Sequence, residues 1–558
     1  MNKIIAKLYV TKLKTKENWD MPKVQIQETY KYGSATTDLT NFTVYVPVKG
    51  VEHIIDTVKN TKEVASEPTL YTSLNQLLKA NYYNGSSVSY KKCNLYDDQD
   101  VNFIMARRLL EKGLPVLLEG LDTLYTFTSY DGNGEDANEL ATGAVLSLGL
   151  AIFDSTEYNK VQVVKNSVEG FVGNIYYVAK NAQVGSTKYE LFIEVPESDP
   201  ATLATTGMYV TLDGTTINTP DFNRLADKAL YNIRFLTVGQ YNDDKDMNLA
   251  LIDCVSLRKD AIALLDDKID MSDITPNTMY KNVSAQVGRV RTYFEGLVGE
   301  FTTEEGTPVY NQVVSNDKLK NAGAFTPWFK AELTTVDRAN VEGDEEPELI
   351  SAEFDAPASF GYLSAFIKAV KQNPEWFAMA GSFRGTIDEF KTVRYNYTSA
   401  EVEILQGRSK TKVVDLDDIN DNIGLAINPI SKIIPFGYLI NGNRTMYIGD
   451  YDEENRPNYR ALLSIRNLVC ALSKQSYFAS KKYTFEPNTD ITYINFKSEI
   501  IPLLDKMRSG LGIRGYRFDR LATTEKGRIK ALISIKPIEP VEDFDITIEL
   551  DDSVDIIE

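Results

Sequence analysis

The chain has 558 residues, 43% of them hydrophobic and 25% charged, with a formal net charge of −19. That composition is ordinary for a globular protein and excludes whole-chain disorder, and the length suits roughly three or four domains of ~100–200 residues. The acidic balance argues against a nucleic-acid partner, since no Lys/Arg-rich run offsets that field, and no stretch approaches the ~18 apolar residues of a membrane span.

Along the chain, lysines interrupt "MNKIIAKLYVTKLKTK" before an apolar core can form, so the expectation is a cytosolic product without a secretory leader. Val24 and Ile26 then alternate with polar residues. From Phe42 to Leu124, strands ("FTVYVPV", "LPVLLEGL") mix with helices ("LYTSLNQLLKANYY", "DVNFIMARRLLEKG"). Between 126 and 228, short strands such as "NIYYVAK", "KYELFIEV" and "MYVTLDGTTI" are separated by Gly, Asn, Ser and Pro turns, predicting a β-rich insertion. "YNIRFLTVGQYNDDKDMNLALIDCVSLRKDAIALLDD" reads as strand, loop, helix, strand, the βαβ unit of a parallel sheet. "NVEGDEEPEL" (340–349) predicts an exposed acidic loop. The last quarter offers a long amphipathic helix in "YRALLSIRNLVCALSKQSYFAS", a second in "FKSEIIPLLDKMRSG", and a strand pair made of "KGRIKALISIKPI" and "FDITIEL". In the last of these, Phe544, Ile546, Ile548 and Leu550 alternate with Asp545, Thr547 and Glu549, the pattern of a half-buried strand, after Pro537 and Pro540.

The two ends are oppositely charged. Residues 1–30 carry six Lys against three acidic residues, whereas 541–558 carry eight acidic residues and no basic one. Two solvated tails are one reading, and two arms docking on sheets are the other.

Catalytic chemistry finds little footing. His53 is the only histidine, which removes His-paired nucleophiles and His-rich metal sites, and Cys93, Cys254 and Cys470 form no CxxC pair. The cysteines are expected to be buried small apolar residues. The loop of the βαβ unit lacks a glycine-rich phosphate motif and would repel a phosphate through Asp243, Asp244 and Asp246. "DGNGEDANEL" has Asp136 where a calcium loop needs Gly, so it predicts a hairpin turn or an exposed loop. "ALLDDKIDMSD" and "VVDLDDINDN" are expected to be solvated acidic faces. Metals and cofactors are therefore expected to be absent, and the chain is not expected to be an enzyme.

A colinear set of segments resembles the contractile tail sheath proteins of myophages and related injection machines. "MPKVQIQETYKYG", with Lys23 where the family has Gly, is similar to the family's first strand. "SVEGFVGNIYYVAK" and "RFLTVGQY…ALIDCVSLRKDAIALLDD" follow in order. "NAGAFTPWFKAEL" carries Pro327 and Trp328, and "DAPASFGYLSAFIKAVKQNPEWFAMAG" comes next. "AINPISKIIPFGYLINGNRTM" carries Asn428, Pro429, Gly442, Arg444 and Thr445, lengthened by "SKIIPFG". "FEPN" supplies Glu486, Pro487 and Asn488.

The resemblance implies an α+β or α/β multidomain fold whose conserved core is built from both ends of the chain. Its parts would be an N-terminal extended arm (1–35), a first α/β core part (36–125), the β-rich inserted domain (126–228), an α/β sheath domain with the exposed acidic loop (229–425), a C-terminal core (426–536) and a C-terminal arm strand (537–558). It further implies stacked hexameric rings in a helical sleeve around an inner tail tube, joined by arms, metastable when extended and contracting to drive the tube through the host envelope. Val24, Ile26 and Glu28 would belong to one arm, Phe544, Ile546, Ile548 and Leu550 to the other, with Pro537 and Pro540 as its hinge. Burying those four side chains gains roughly 6–12 kcal/mol, and ordering about eight residues costs roughly 8–16 kcal/mol, so backbone pairing on a neighbouring sheet has to tip the balance. The helix over 499–509, with Lys506 and Arg508, is a candidate for the inner wall, a solvated face being the alternative. Partners would be further copies, the inner tail tube protein, and baseplate and tail terminator proteins, with no nucleic acid and no membrane insertion, in a virion tail assembled in the host cytoplasm. Another virion structural protein, of baseplate or capsid, is the alternative, and an α/β enzyme stands further back.

Overall fold

The computed structural model describes residues 8–11, 23–26, 39–51, 53–56, 61–63, 66–84, 87–88, 93–131, 138–153, 156–166, 173–179, 183–184, 187–188, 190–194, 208–242, 244–267, 283–304, 307–336, 349–393, 395–407, 425–448, 458–522 and 527–541. Residues 340–348 of the expected acidic loop lie outside the described residues, as do "VVDLDDINDN", Glu28, and the arm positions Phe544, Ile546, Ile548 and Leu550, while Leu349 opens the strand Leu349–Ala356.

The centre is an eight-stranded sheet of β1 (Val44–Lys49), β2 (Thr69–Tyr71), β3 (Val116–Leu121), β4 (Phe235–Thr237), β5 (Ile262–Asp266), β6 (Ala322–Thr326), β7 (Asn428–Ile433) and β8 (Gly437–Ile440). Their spatial order is β8-β7-β6-β5-β4-β1-β3-β2. The six inner strands run parallel, and β2 and β8 close the two edges antiparallel. Strands buried on both faces should read as unbroken apolar runs, and β3, β5 and β6 are buried at every position.

Alternate side chains point to opposite faces of the sheet, which gives it two cores. On one face Val44, Val46, Val116, Ile262 and Leu264 pack with helices α1 (Val101–Glu111) and α4 (Ala358–Val370). On the other face Tyr45, Leu117, Ala263 and Leu265 pack with α2 (Lys245–Arg258) and α3 (Val283–Val298). The expected βαβ unit is present as β4-α2-β5. Asp244, expected only to repel a phosphate, caps α2 by accepting from the backbone N–H of Asp246 and Met247. Cys93, Cys254 and Cys470 are free and buried.

The β-rich segment closes on itself. Strands Thr123–Asp131, Asn138–Phe153, Thr156–Asn166, Ile175–Ala179, Glu190–Glu194 and Met208–Ile217 pair antiparallel in sequence order, and the last pairs back onto the first. The result is a six-stranded up-and-down barrel with Val145, Val161, Val163, Tyr176 and Val178 inside. Of "DGNGEDANEL", the described residues are Asp131 and 138–140, and Asp131 pairs with Asn138 across the first two strands.

Near the N-terminus, Leu8–Thr11 pairs antiparallel with Lys23–Ile26, the strand that carries Val24 and Ile26. At the other end, α5 (Leu463–Lys482) and α6 (Asp490–Ser509) carry a two-stranded antiparallel ribbon, β9 (Ile513–Leu521) and β10 (Lys530–Pro537). Helix α6 starts well before residue 499, because Thr489 caps it by accepting from the N–H of Thr492. The partner of "IKALISI" is β9, a strand the sequence did not reveal.

Candidate assembly site

The C-terminal unit has its own apolar centre. Leu468 and Leu472 of α5, Ile500, Leu504 and Met507 of α6, and Ile513 and Phe518 of β9 pack together with Trp376. Trp376 joins this unit to the rest of the chain: its indole Nε1–H donates to the carbonyl of Gly510 at 2.8 Å. Gly510 and Gly512 let the ring approach, since a Cβ on either would lie within 2.9 Å of it.

One face of the ribbon packs on the helices and the other is turned outward. Five Lys or Arg (Arg514, Arg517, Arg520, Lys530, Lys536) stand in the two strands against one acid, Asp519. Among the described residues neither outer edge of the ribbon is paired. Unpaired edges of this kind accept a further strand. Pro537 is buried as the last residue of β10, opposite Ile513, and Ile538 N–H still donates to Gly512 O, so the chain leaves the ribbon only at Glu539 and Pro540. Lys506 and Arg508 both project from α6 into solvent. Arg508 is tied to Asp505 at 3.2 Å and lies over the Tyr516 ring.

The signature residues separate into two groups. Asn428 is fully buried at the start of β7: its Oδ1 accepts from Arg444 N–H, and its Nδ2 donates to the carbonyls of Arg444 and Ala324. Gly442 leaves room for it, because a Cβ there would sit 2.7 Å from Asn428 Oδ1. Thr445 is buried and donates to Arg460 O. Trp328 donates to Asp267 O at 2.7 Å, beside Pro327. Glu486, Pro487 and Asn488 are instead exposed in the turn between α5 and α6, where Pro487 O accepts from Thr489 N–H and Thr492 Oγ1. Phe485, at the tip of that turn, is wholly exposed with a φ of 76°.

"ALLDDKIDMSD" is not a solvated face where it is described. Asp266 and Asp267 are buried at the C-terminal end of β5. Local spacing reads them as polar, whereas the layers on both sides of the sheet exclude water from them. Asp266 accepts from the N–H and hydroxyl of Ser359, both at 2.6 Å, and Asp267 accepts from Thr326 Oγ1 at 2.8 Å. Burial pushes their carboxyls up, to about 7 and about 8 respectively. Asp100, just before α1, provides a contrast. It accepts from Lys49 N–H, Asn102 N–H, Gln240 Nε2–H and Tyr241 O–H, and burial lifts it only to about 6.

Among the described residues no group of three or more His, Cys, Asp or Glu is placed to hold a metal ion, and no helix is long and apolar enough to cross a membrane. No family model matches the sequence, and neither does any curated protein. In fold, the chain is similar to the PVC sheath complex of an extracellular contractile injection system in its contracted state, with 12% identity, 95% of this chain and 98% of that one covered, and a TM-score of 0.46. The helical sheath of the anti-feeding prophage, also contracted, shares 12% identity over 91% of this chain and 93% of its own, with a TM-score of 0.44. The sheath tail protein of Desulfitobacterium hafniense shares 10% identity over 89% and 97%, with a TM-score of 0.40. All three of these structures are of sheaths.

Proposed function

We propose that the chain is a structural subunit of a contractile tail sheath: a sleeve of stacked hexameric rings around an inner tail tube, contracting to drive that tube through a cell envelope. The observation that carries this reading is the ribbon β9–β10, a basic two-stranded sheet with both outer edges free among the described residues. The same chain carries an arm with eight acidic residues at 541–558 and no basic one. A ribbon of this kind is an acceptor, and an alternating arm is its donor, so copies link by strand addition. Each joint is weak alone and strong in an array that holds every subunit at several points. The colinear motifs of the sequence supply the class of assembly.

On this reading Phe544, Ile546, Ile548 and Leu550 pair on a neighbouring copy, swinging about Pro540, and the strand holding Val24 and Ile26 docks on another. The tube, baseplate and terminator proteins are the remaining partners, in a phage tail assembled in the host cytoplasm. The role is mechanical and not enzymatic. Electron microscopy of the purified, concentrated protein tests the reading: hollow sleeves are expected, and flat plates or closed shells would overturn it. Deleting 541–558 should leave a folded monomer that forms no sleeve, and normal sleeves from the truncated chain would reject the joint.

A further inference from the structure

We propose that Asp266 and Asp267 form a proton-holding latch that keeps the C-terminal edge of the parallel sheet closed at neutral pH and releases it as the pH rises. The pair sits where five parts of the chain meet. Ser359 reaches it from the start of α4, and Thr326 from the end of β6. Tyr397 reaches it through Thr326, with its hydroxyl 2.9 Å from Thr326 Oγ1. Thr237 at the end of β4 reaches it through Ser359, their hydroxyls 3.4 Å apart. Asn242 donates to the backbone carbonyls of both aspartates and Trp328 to that of Asp267.

All these contacts are neutral. The titratable groups facing the pair are the partner carboxyl itself and Tyr397, behind which stand Tyr395 and Glu401. Among the described residues no Lys, Arg or His acts on either carboxyl. Two adjacent carboxylates in one dry site repel each other, and ionising both has no compensation. Asp100 can ionise because several donors surround it. Asp267 has one donor for Oδ2, while its Oδ1 is buried and unpartnered among the described residues. A proton on Asp267 removes one of the two adjacent charges, so the two relays, Tyr397 to Thr326 and Thr237 to Ser359, end on a pair whose carboxyls no longer repel each other.

The sign follows from the raised positions of both groups. Their contribution is fully present below the range of a free aspartate, near 3.8, and is lost as the pH rises through about 7 and about 8. The test is the pH dependence of the denaturant midpoint, from about pH 5 to about pH 9, for the unaltered chain and for Asp267→Asn, which keeps the shape and cannot ionise. The unaltered midpoint should fall with rising pH, and the variant should lose at least about half of that fall. Infrared spectroscopy at neutral pH gives a second readout, independent of how well the variant folds: a protonated-carboxyl band in the unaltered chain that Asp267→Asn or Asp266→Asn removes. Parallel midpoint profiles, or no protonated-carboxyl band in the unaltered chain, would overturn the proposal.

Discussion

Asn428 pairs with Arg444 as one strand pairs with another. Its side-chain oxygen accepts the Arg444 N–H at 2.7 Å, and its side-chain nitrogen donates to the Arg444 carbonyl at 2.8 Å. A third bond, to Ala324 O at 3.0 Å, ties the pair to β6. One amide thereby stands in for a missing segment of backbone between the end strands of the sheet. Only Asn has a donor and an acceptor at that reach.

Asn428→Ala removes these three bonds together. A typical hydrogen bond contributes about 1 kcal/mol net, so the loss should be about 3 kcal/mol, measured by equilibrium denaturation of the monomer. Asn428→Asp should be no better, because its second oxygen would face two carbonyl oxygens.

The contact between Trp376 and the glycines at the end of α6 couples the C-terminal unit to the main body. Gly512→Ala would place a methyl carbon 2.8 Å from the indole ring. Hydrogen exchange should show faster opening of β9 and β10 in this variant, with the parallel sheet unchanged. Uniform loss of protection across the chain would mean that the two parts unfold as one.

Lys474 is buried on α5, donating to Asn41 O at 3.3 Å. Burial, with Arg234 nearby, pushes its amine down to about 7. A lysine lowered in this way costs stability while it must be charged, below about pH 7, and the cost fades as the pH rises toward the free value near ~10.4. Lys474→Met should therefore raise the melting temperature at pH 6 and gain less, or lose, at pH 10, where the neutral amine still serves Asn41. Thermal melts at the two pH values check this.

Charge should govern the rate at which copies join. If the acidic arm docks on the basic ribbon, raised salt slows sleeve growth, because exposed charges are screened beyond ~10 Å at 0.1 M. Replacing Arg514, Arg517 and Lys536 by Glu should slow growth at low salt far more than at high salt, followed by light scattering. Equal slowing at both would assign those residues to packing.

Much of the central sheet was legible. "FTVYVPV", "LPVLLEGL" and the βαβ segment carry their structure in local periodicity, and burial on both faces only confirms it. The ribbon was half legible: "IKALISI" alternates except at Leu532, but in β9 Arg514, Arg517 and Arg520 interrupt the apolar residues, and its pairing rests on contact with β10. The barrel was visible in part, through the strands of "NIYYVAK", "KYELFIEV" and "MYVTLDGTTI", and invisible as a closed ring, since closure depends on Met208–Ile217 returning to Thr123–Asp131. Asp266 and Asp267 were misread because adjacent aspartates after an apolar strand look like a solvated turn. Their burial is set by α4 and the 326–328 segment, far away in sequence.

The barrel leaves and rejoins the sheet at neighbouring points, with Asn218 N–H bonded to Asp122 O at 2.8 Å. A domain whose two ends meet can be inserted without forcing apart the host strands it joins. The segment between these residues should therefore accept replacement by another fold with adjacent termini, with β3 still continuing toward β4, and the strands His53–Asp56 and Thr61–Glu63, which pair on it at Gly149, would then lose that partner. For anyone building on this chain, that junction is a socket for display: cargo fused there would be repeated on every copy of whatever the subunits assemble.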